Sequence, residues 1–136
     1  MGQKIVIKIG KIKVEGQMKD TPLAKKIYNA LPFESRARLW GKEVYFEIPV
    51  TSEINSPVNE VEKGDIAYWP EGRCLCLFFG PTPISKGEKP IPASEVEVAG
   101  KIISDYRELE KVMSGDKITV ESCSDRETSG NEERKR

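Results

Sequence analysis

The chain opens on strict alternation. Ile5, Ile7 and Ile9 fall on one face of an extended segment, and Lys4 and Lys8 on the other. After Gly10 the alternation resumes at Ile12 and Val14. Successive side chains of a strand point to opposite faces, so this period of two predicts a β-hairpin. Its charged outer positions place it at one edge of a sheet, where lysines protect against pairing with another chain.

The pattern then changes. In Asp20-Thr21-Pro22, Thr21 is a capping residue, and Pro22 suits the first helical position, where its missing N–H is not needed. Leu23, Ala24, Ile27, Ala30 and Leu31 form an apolar stripe at helical spacing, and Pro32 stops the helix. This one main helix is expected to plug a barrel end. Ser35, Ala37 and Leu39 alternate with Arg36, Arg38 and Trp40. Gly41-Lys42 makes a tight turn, and Val44, Phe46 and Ile48 continue beyond it until Pro49. Residues 51–59 are polar and read as loop.

Lys63-Gly64-Asp65 is a further turn, with Asp65 a turn residue. Ile66 to Trp69 is a strand, and Pro70 to Arg73 a tight turn. Cys74 to Phe79 is almost entirely apolar, which predicts a strand buried on both faces. Residues 80–92 carry four prolines and form an irregular loop. Alternation returns through Val96, Val98 and Gly100. A short helical turn near Asp105 to Val112 and a last strand through Ile118 and Val120 follow. These segments make about eight short strands, a mainly β architecture best satisfied by a closed barrel. Residues 1–121 form that domain. From Ser122 onward only Cys123 is apolar, so 122–136 is expected to be a disordered polar tail.

Composition narrows the chemistry. The chain has 22 basic and 22 acidic residues, a balance that argues against a nucleic-acid or membrane-surface partner. No apolar run reaches membrane-spanning length, and the start matches neither a signal peptide nor a myristoylation site, so the expected location is the cytoplasm. The sequence contains no histidine. That removes Ser-His-Asp and Cys-His nucleophiles and histidine-ligated zinc. Acid–base work near neutrality would need a strongly shifted carboxylate, lysine or cysteine. Cys74 and Cys76 share a strand face and, with Cys123, read as free thiols; no metal site or cofactor is expected.

Three blocks carry a family resemblance. The first is Pro32-Phe33-Glu34-Ser35, then Trp40-Gly41, Glu43-Val44-Tyr45-Phe46 and Pro49-Val50. The second is Gly64 to Pro70, Gly72-Arg73, and Leu75 through Pro83. The third is Pro92-Ala93-Ser94, Val96, Val98 and Gly100-Lys101. Together they resemble a family of small bacterial and archaeal cyclophilin-like proteins, over residues 3–121. The resemblance implies a closed eight-stranded cyclophilin-like β-barrel with fewer helices than true cyclophilins. True cyclophilins are peptidyl-prolyl isomerases with an arginine beside an apolar pocket. No segment here matches that motif, so no catalytic residue carries over.

Prolyl isomerisation needs no nucleophile. A guanidinium that donates to the prolyl nitrogen of a twisted amide stabilises its transition state. The candidate donors are Arg36 and Arg38, on one strand face with Trp40, and Arg73 in its turn. Candidate pocket walls are Trp40, Phe46, Tyr68, Trp69, Phe78 and Phe79, with Pro81 and Thr82 where the Cys74 to Phe79 strand meets its loop; a barrel core would claim several of these. Gln17 and Met18 are a lesser pair. Three functions fit: a module that binds an extended, proline-containing peptide or a small ligand, an atypical isomerase, and a structural protein in a complex.

Overall fold

The computed structural model describes residues 2–123. β1 (Lys4–Ile9) and β2 (Ile12–Met18) form the first hairpin, turned by Gly10 at φ +57°. Helix α1 (Pro22–Asn29) follows, and Thr21 Oγ1 accepts from the Ala24 N–H at 3.2 Å, as its capping role predicts. α1 turns Leu23, Ala24 and Ile27 into the barrel core. The remaining strands are β3 (Phe33–Arg36), β4 (Arg38–Leu39), β5 (Glu43–Glu47), β6 (Asp65–Trp69), β7 (Cys74–Phe78), β8 (Glu97–Ile102) and β9 (Lys117–Ser122). A 3₁₀ helix, Tyr106–Lys111, is capped by Asp105.

Every strand pairing is antiparallel, and the order around the sheet is β3-β9-β1-β2-β8-β6-β7-β5-β4. The first and last members are halves of one segment. β3 pairs with β9 and β4 with β5, and the chain itself joins them through buried Ala37. Ala37 leaves the ladder to bond the turn before β9: its N–H donates to Asp116 O at 2.9 Å, and Gly115 N–H donates to Ala37 O at 2.8 Å. The sheet therefore closes through the covalent chain. The expected eight strands become nine because this one strand is divided at Ala37.

The hairpin is not at an edge. β1 lies between β9 and β2, and β2 between β1 and β8. The expectation of an edge rested on Lys4 and Lys8, which are indeed exposed. In a barrel the outer face of every strand can be solvated, so alternating charge does not distinguish an edge from the interior of the sheet. A β-bulge also interrupts the even alternation read through Val96, Val98 and Gly100. Ile66 opposes Gly100 while Ala67 opposes Val98, so Ala99 is the extra residue and joins the core.

β7 is buried on both faces, as its apolar run predicts. Leu75 and Leu77 face the barrel interior with Phe46, Ile66 and Tyr68. Cys74, Cys76 and Phe78 face outward, yet pack in a second cluster with Val61, Ala67 and Val96. Two connections cover this outer face, residues 50–64 and 79–96, tied by reciprocal backbone bonds between Val58 and Val96. β9 continues through Ser122, and Cys123 N–H donates to Lys4 O at 2.9 Å. The expected disordered tail falls, from 124 onward, outside the described residues. No helix among the described residues is long and apolar enough to cross a membrane.

Candidate functional site

Alternation along β5 sends Val44 and Phe46 inward, and Glu43 and Tyr45 outward. Tyr45 lies opposite Cys76 on β7, and Trp69 at the end of β6 lies opposite Cys74. Trp40 precedes the turn at Gly41. These outward side chains would be solvated on most barrels. Here the loop through Pro92, Ala93 and Val96 passes over them and leaves a cavity of about 180 Å³. Trp40, Tyr45, Trp69, Cys76 and Pro92 wall it, together with Glu43.

The aromatic walls are fixed by their surroundings. Trp69 meets Tyr45 edge to face, with ring centroids 6.4 Å apart and planes at 88°. Its indole N–H donates to Ser94 Oγ at 2.6 Å. Gly72 packs against its ring: a Cβ there would stand 2.5 Å from Cζ3. On the other side, the roofing loop approaches Gly41, whose φ is +59° and whose added Cβ would stand 2.8 Å from Pro83 Cδ. Both glycines are required by these approaches.

Glu43 is the charged residue of the cavity. It is only 6% exposed, and among the described residues its Oε1 has no hydrogen-bond partner. An unpaired buried carboxylate oxygen is costly. Burial pushes the Glu43 carboxyl up to about 7, and a hydrogen bond from the Cys76 thiol partly opposes this. Burial, and then the charge of Glu43, push the Cys76 thiol well above its ordinary range. The thiol therefore stays protonated while the carboxyl titrates near neutrality. In a histidine-free chain, Glu43 is the strongly shifted carboxylate that neutral acid–base behaviour would require.

Of the residues singled out from sequence, Trp40 and Trp69 line this cavity. Phe46 and Tyr68 are in the barrel interior, where the Tyr68 hydroxyl donates to Val50 O at 2.8 Å. Phe78 is buried in the outer cluster. Phe79 is buried beneath Lys42, whose Nζ lies 5.8 Å from its ring centroid. Pro81 O accepts from Lys42 N–H at 2.9 Å, and buried Thr82 donates through Oγ1 to Ile91 O at 2.5 Å. Both residues thus shape the loop and do not wall the cavity. Met18 is in the core, while Gln17 lines a separate groove with Lys101 and Asp65.

The three arginines lie elsewhere. Arg36 is exposed, and its Nη1 donates to Gly115 O at 3.1 Å. Arg38 is exposed, opposite Tyr45 on the neighbouring strand. Arg73 has φ +53° and pairs with Glu47. None of the three lines the cavity. Glu43 was missed because alternation alone assigns a strand glutamate to solvent. Its signal was present in its neighbour: Glu43 opposes Phe78, on the strand whose composition predicts burial on both faces.

Comparison with known proteins bears on the whole barrel. The sequence profile of the family described as cyclophilin-like matches residues 3–121. The solution structure of a hypothetical protein from Archaeoglobus fulgidus superposes with a TM-score of 0.77. It is 36% identical, and the match covers 90% of this chain and 95% of that one. No match was found among the curated proteins.

Proposed function

The chain belongs to the cyclophilin-like family, and from that premise we propose that it is a binding domain whose pocket is the cavity beside Glu43. The ligand is an extended peptide or a small molecule that places one group between Trp40, Tyr45 and Trp69. The observation that carries this reading is a buried glutamate with an unpaired oxygen, Glu43, lining a cavity two of whose aromatic walls, Tyr45 and Trp69, are already held. Preorganised walls reduce the ordering that binding would otherwise require. A cavity of about 150 Å³ accommodates one benzene, so this one suits a single side chain or a small ligand's head group. The isomerase alternative calls for a guanidinium beside the pocket, and no arginine lines it.

The test is chemical-shift mapping with short proline-containing peptides. Localised shifts at the Trp69 indole N–H and along Glu43 to Cys76 are expected. Shifts elsewhere, or none with any peptide or small ligand tried, would defeat the assignment. A prolyl-isomerisation assay on the same protein separates binding from catalysis, and the expected rate is that of solvent alone.

A further inference from the structure

The chemistry around Glu43 points to a particular anchoring group, an inference that rests on the binding reading above. We propose that the cavity takes an alkylammonium group, with its N–H donating to Glu43 and its carbon stem against Trp40, Tyr45 and Trp69. Three observations support this. First, the cavity holds one carboxylate and no lysine or arginine among its lining residues. Secondly, the buried Oε1 lacks a donor, and an ammonium group supplies up to three. Thirdly, three of the remaining walls are aromatic, and indole and phenol faces attract cations.

The alternatives fit less well. An anion would meet the Glu43 charge with no compensating cation in the lining. A purely apolar ligand would fill the space while leaving Oε1 unsatisfied. A guanidinium also carries N–H donors, but its planar fork prefers a carboxylate approached through both oxygens. At Glu43 only Oε1 is buried and without a partner. A compact ammonium on a flexible stem needs only one free oxygen. Two sources share this chemistry, a lysine side chain of an extended peptide and a free primary amine.

The experiment uses four probes above neutral pH: butylamine, butanol, a capped Gly-Lys-Gly peptide and the same peptide with acetyl-lysine. Readouts are the Trp40 and Trp69 indole resonances and the affinity from titration. Butylamine and the lysine peptide are expected to shift both indoles. Butanol and the acetylated peptide are expected to bind about tenfold or more weakly, as loss of a charge-assisted bond dictates. Glu43→Gln should weaken the two cations to a similar extent while keeping the remaining amide spectrum, since Gln removes a buried charge without changing shape. Tighter binding of the peptide than of butylamine identifies a lysine side chain as the source, and the reverse identifies a free amine. Equal binding of butanol and butylamine would overturn the cation assignment and leave the binding reading standing. Silence from all four probes would also overturn it, and the proline peptides would then decide the binding reading on their own.

Discussion

The indole N–H of Trp69 donates to Ser94 Oγ at 2.6 Å, and this bond ties the end of β6 to the loop that roofs the cavity. Trp69 is half-buried, so solvent can replace the partner only in part. Ser94→Ala is expected to destabilise the domain by roughly 1–2 kcal/mol. Urea unfolding followed by tryptophan emission measures this, and the emission maximum of the folded state should move as the indole loosens. An unchanged midpoint together with unchanged emission would mean that the bond neither stabilises the domain nor holds the wall.

Beneath the same ring, Gly72 leaves no room for a methyl group. A Cβ would stand 2.5 Å from Trp69 Cζ3 and 2.7 Å from Cε3, with Cys74 Sγ at 3.4 Å. Gly72→Ala must therefore displace the indole. The expected loss is about 1–3 kcal/mol, the range for overpacking, together with a displaced Trp69 indole resonance and a weaker Tyr45 ring-current shift. If that resonance stays in place, the close approach of Gly72 to Trp69 is not what positions the wall.

Much of the barrel is legible in sequence because its signals are local. Period two places Ile5, Ile7 and Ile9 inward, Thr21 caps the helix, and the apolar run from Cys74 marks a strand buried twice. The illegible features depend on distant segments. Ala37 interrupts its strand because Gly115 and Asp116 bond its backbone. β1 is internal because β9, more than a hundred residues later, pairs with it. The candidate site is legible in part. Trp69 could be chosen as an aromatic where a strand meets a loop, and Trp40 as an aromatic on the strand face of Arg36 and Arg38. Glu43 is legible only through its strand neighbour Phe78, because its burial arises from a loop, Pro92 to Val96, that composition alone cannot lay over it.

The Tyr68 hydroxyl serves the fold more than the cavity. It donates to Val50 O at 2.8 Å and accepts from Ser52 N–H at 3.3 Å, holding the start of the 50–64 connection against the barrel. Tyr68→Phe keeps the ring and its packing but leaves both backbone groups without this partner. A loss of about 1–2 kcal/mol is expected by thermal or urea unfolding. Amide exchange at Ser52 should quicken more than at Ile66 or Leu75. Uniform quickening across the sheet would show that the hydroxyl supports the whole barrel and not this connection.

Glu43 makes the stability of the ligand-free domain depend on pH in a direction opposite to that of most paired carboxylates. Its folded value is raised to about 7 from an ordinary 4.5, because burial disfavours the charged form. Between those values the folded chain keeps a proton that the unfolded chain has released. Stability is then highest below the unfolded value, falls as pH rises, and levels off above the folded value. The full difference amounts to about 3 kcal/mol, since each tenfold difference in proton affinity is worth about 1.4 kcal/mol. The titratable groups beside Glu43 are Cys76 and Cys74 on β7 and Tyr45 on its own strand, while Pro92, Ala93 and Val96 above it carry no charge. Burial also raises both thiols, so in this range they stay protonated in folded and unfolded chains alike. Asp65, raised by burial at its turn, adds a slope of the same sign from the lower pH range. The measurement is urea unfolding of wild type and Glu43→Gln between about pH 5 and pH 8. Wild type should lose stability across that range relative to the variant, and parallel curves would show that Glu43 titrates normally. Addition of butylamine should reverse the trend. The cation favours ionised Glu43, so its affinity rises through neutral pH and its binding releases a proton, seen calorimetrically as a buffer-dependent heat.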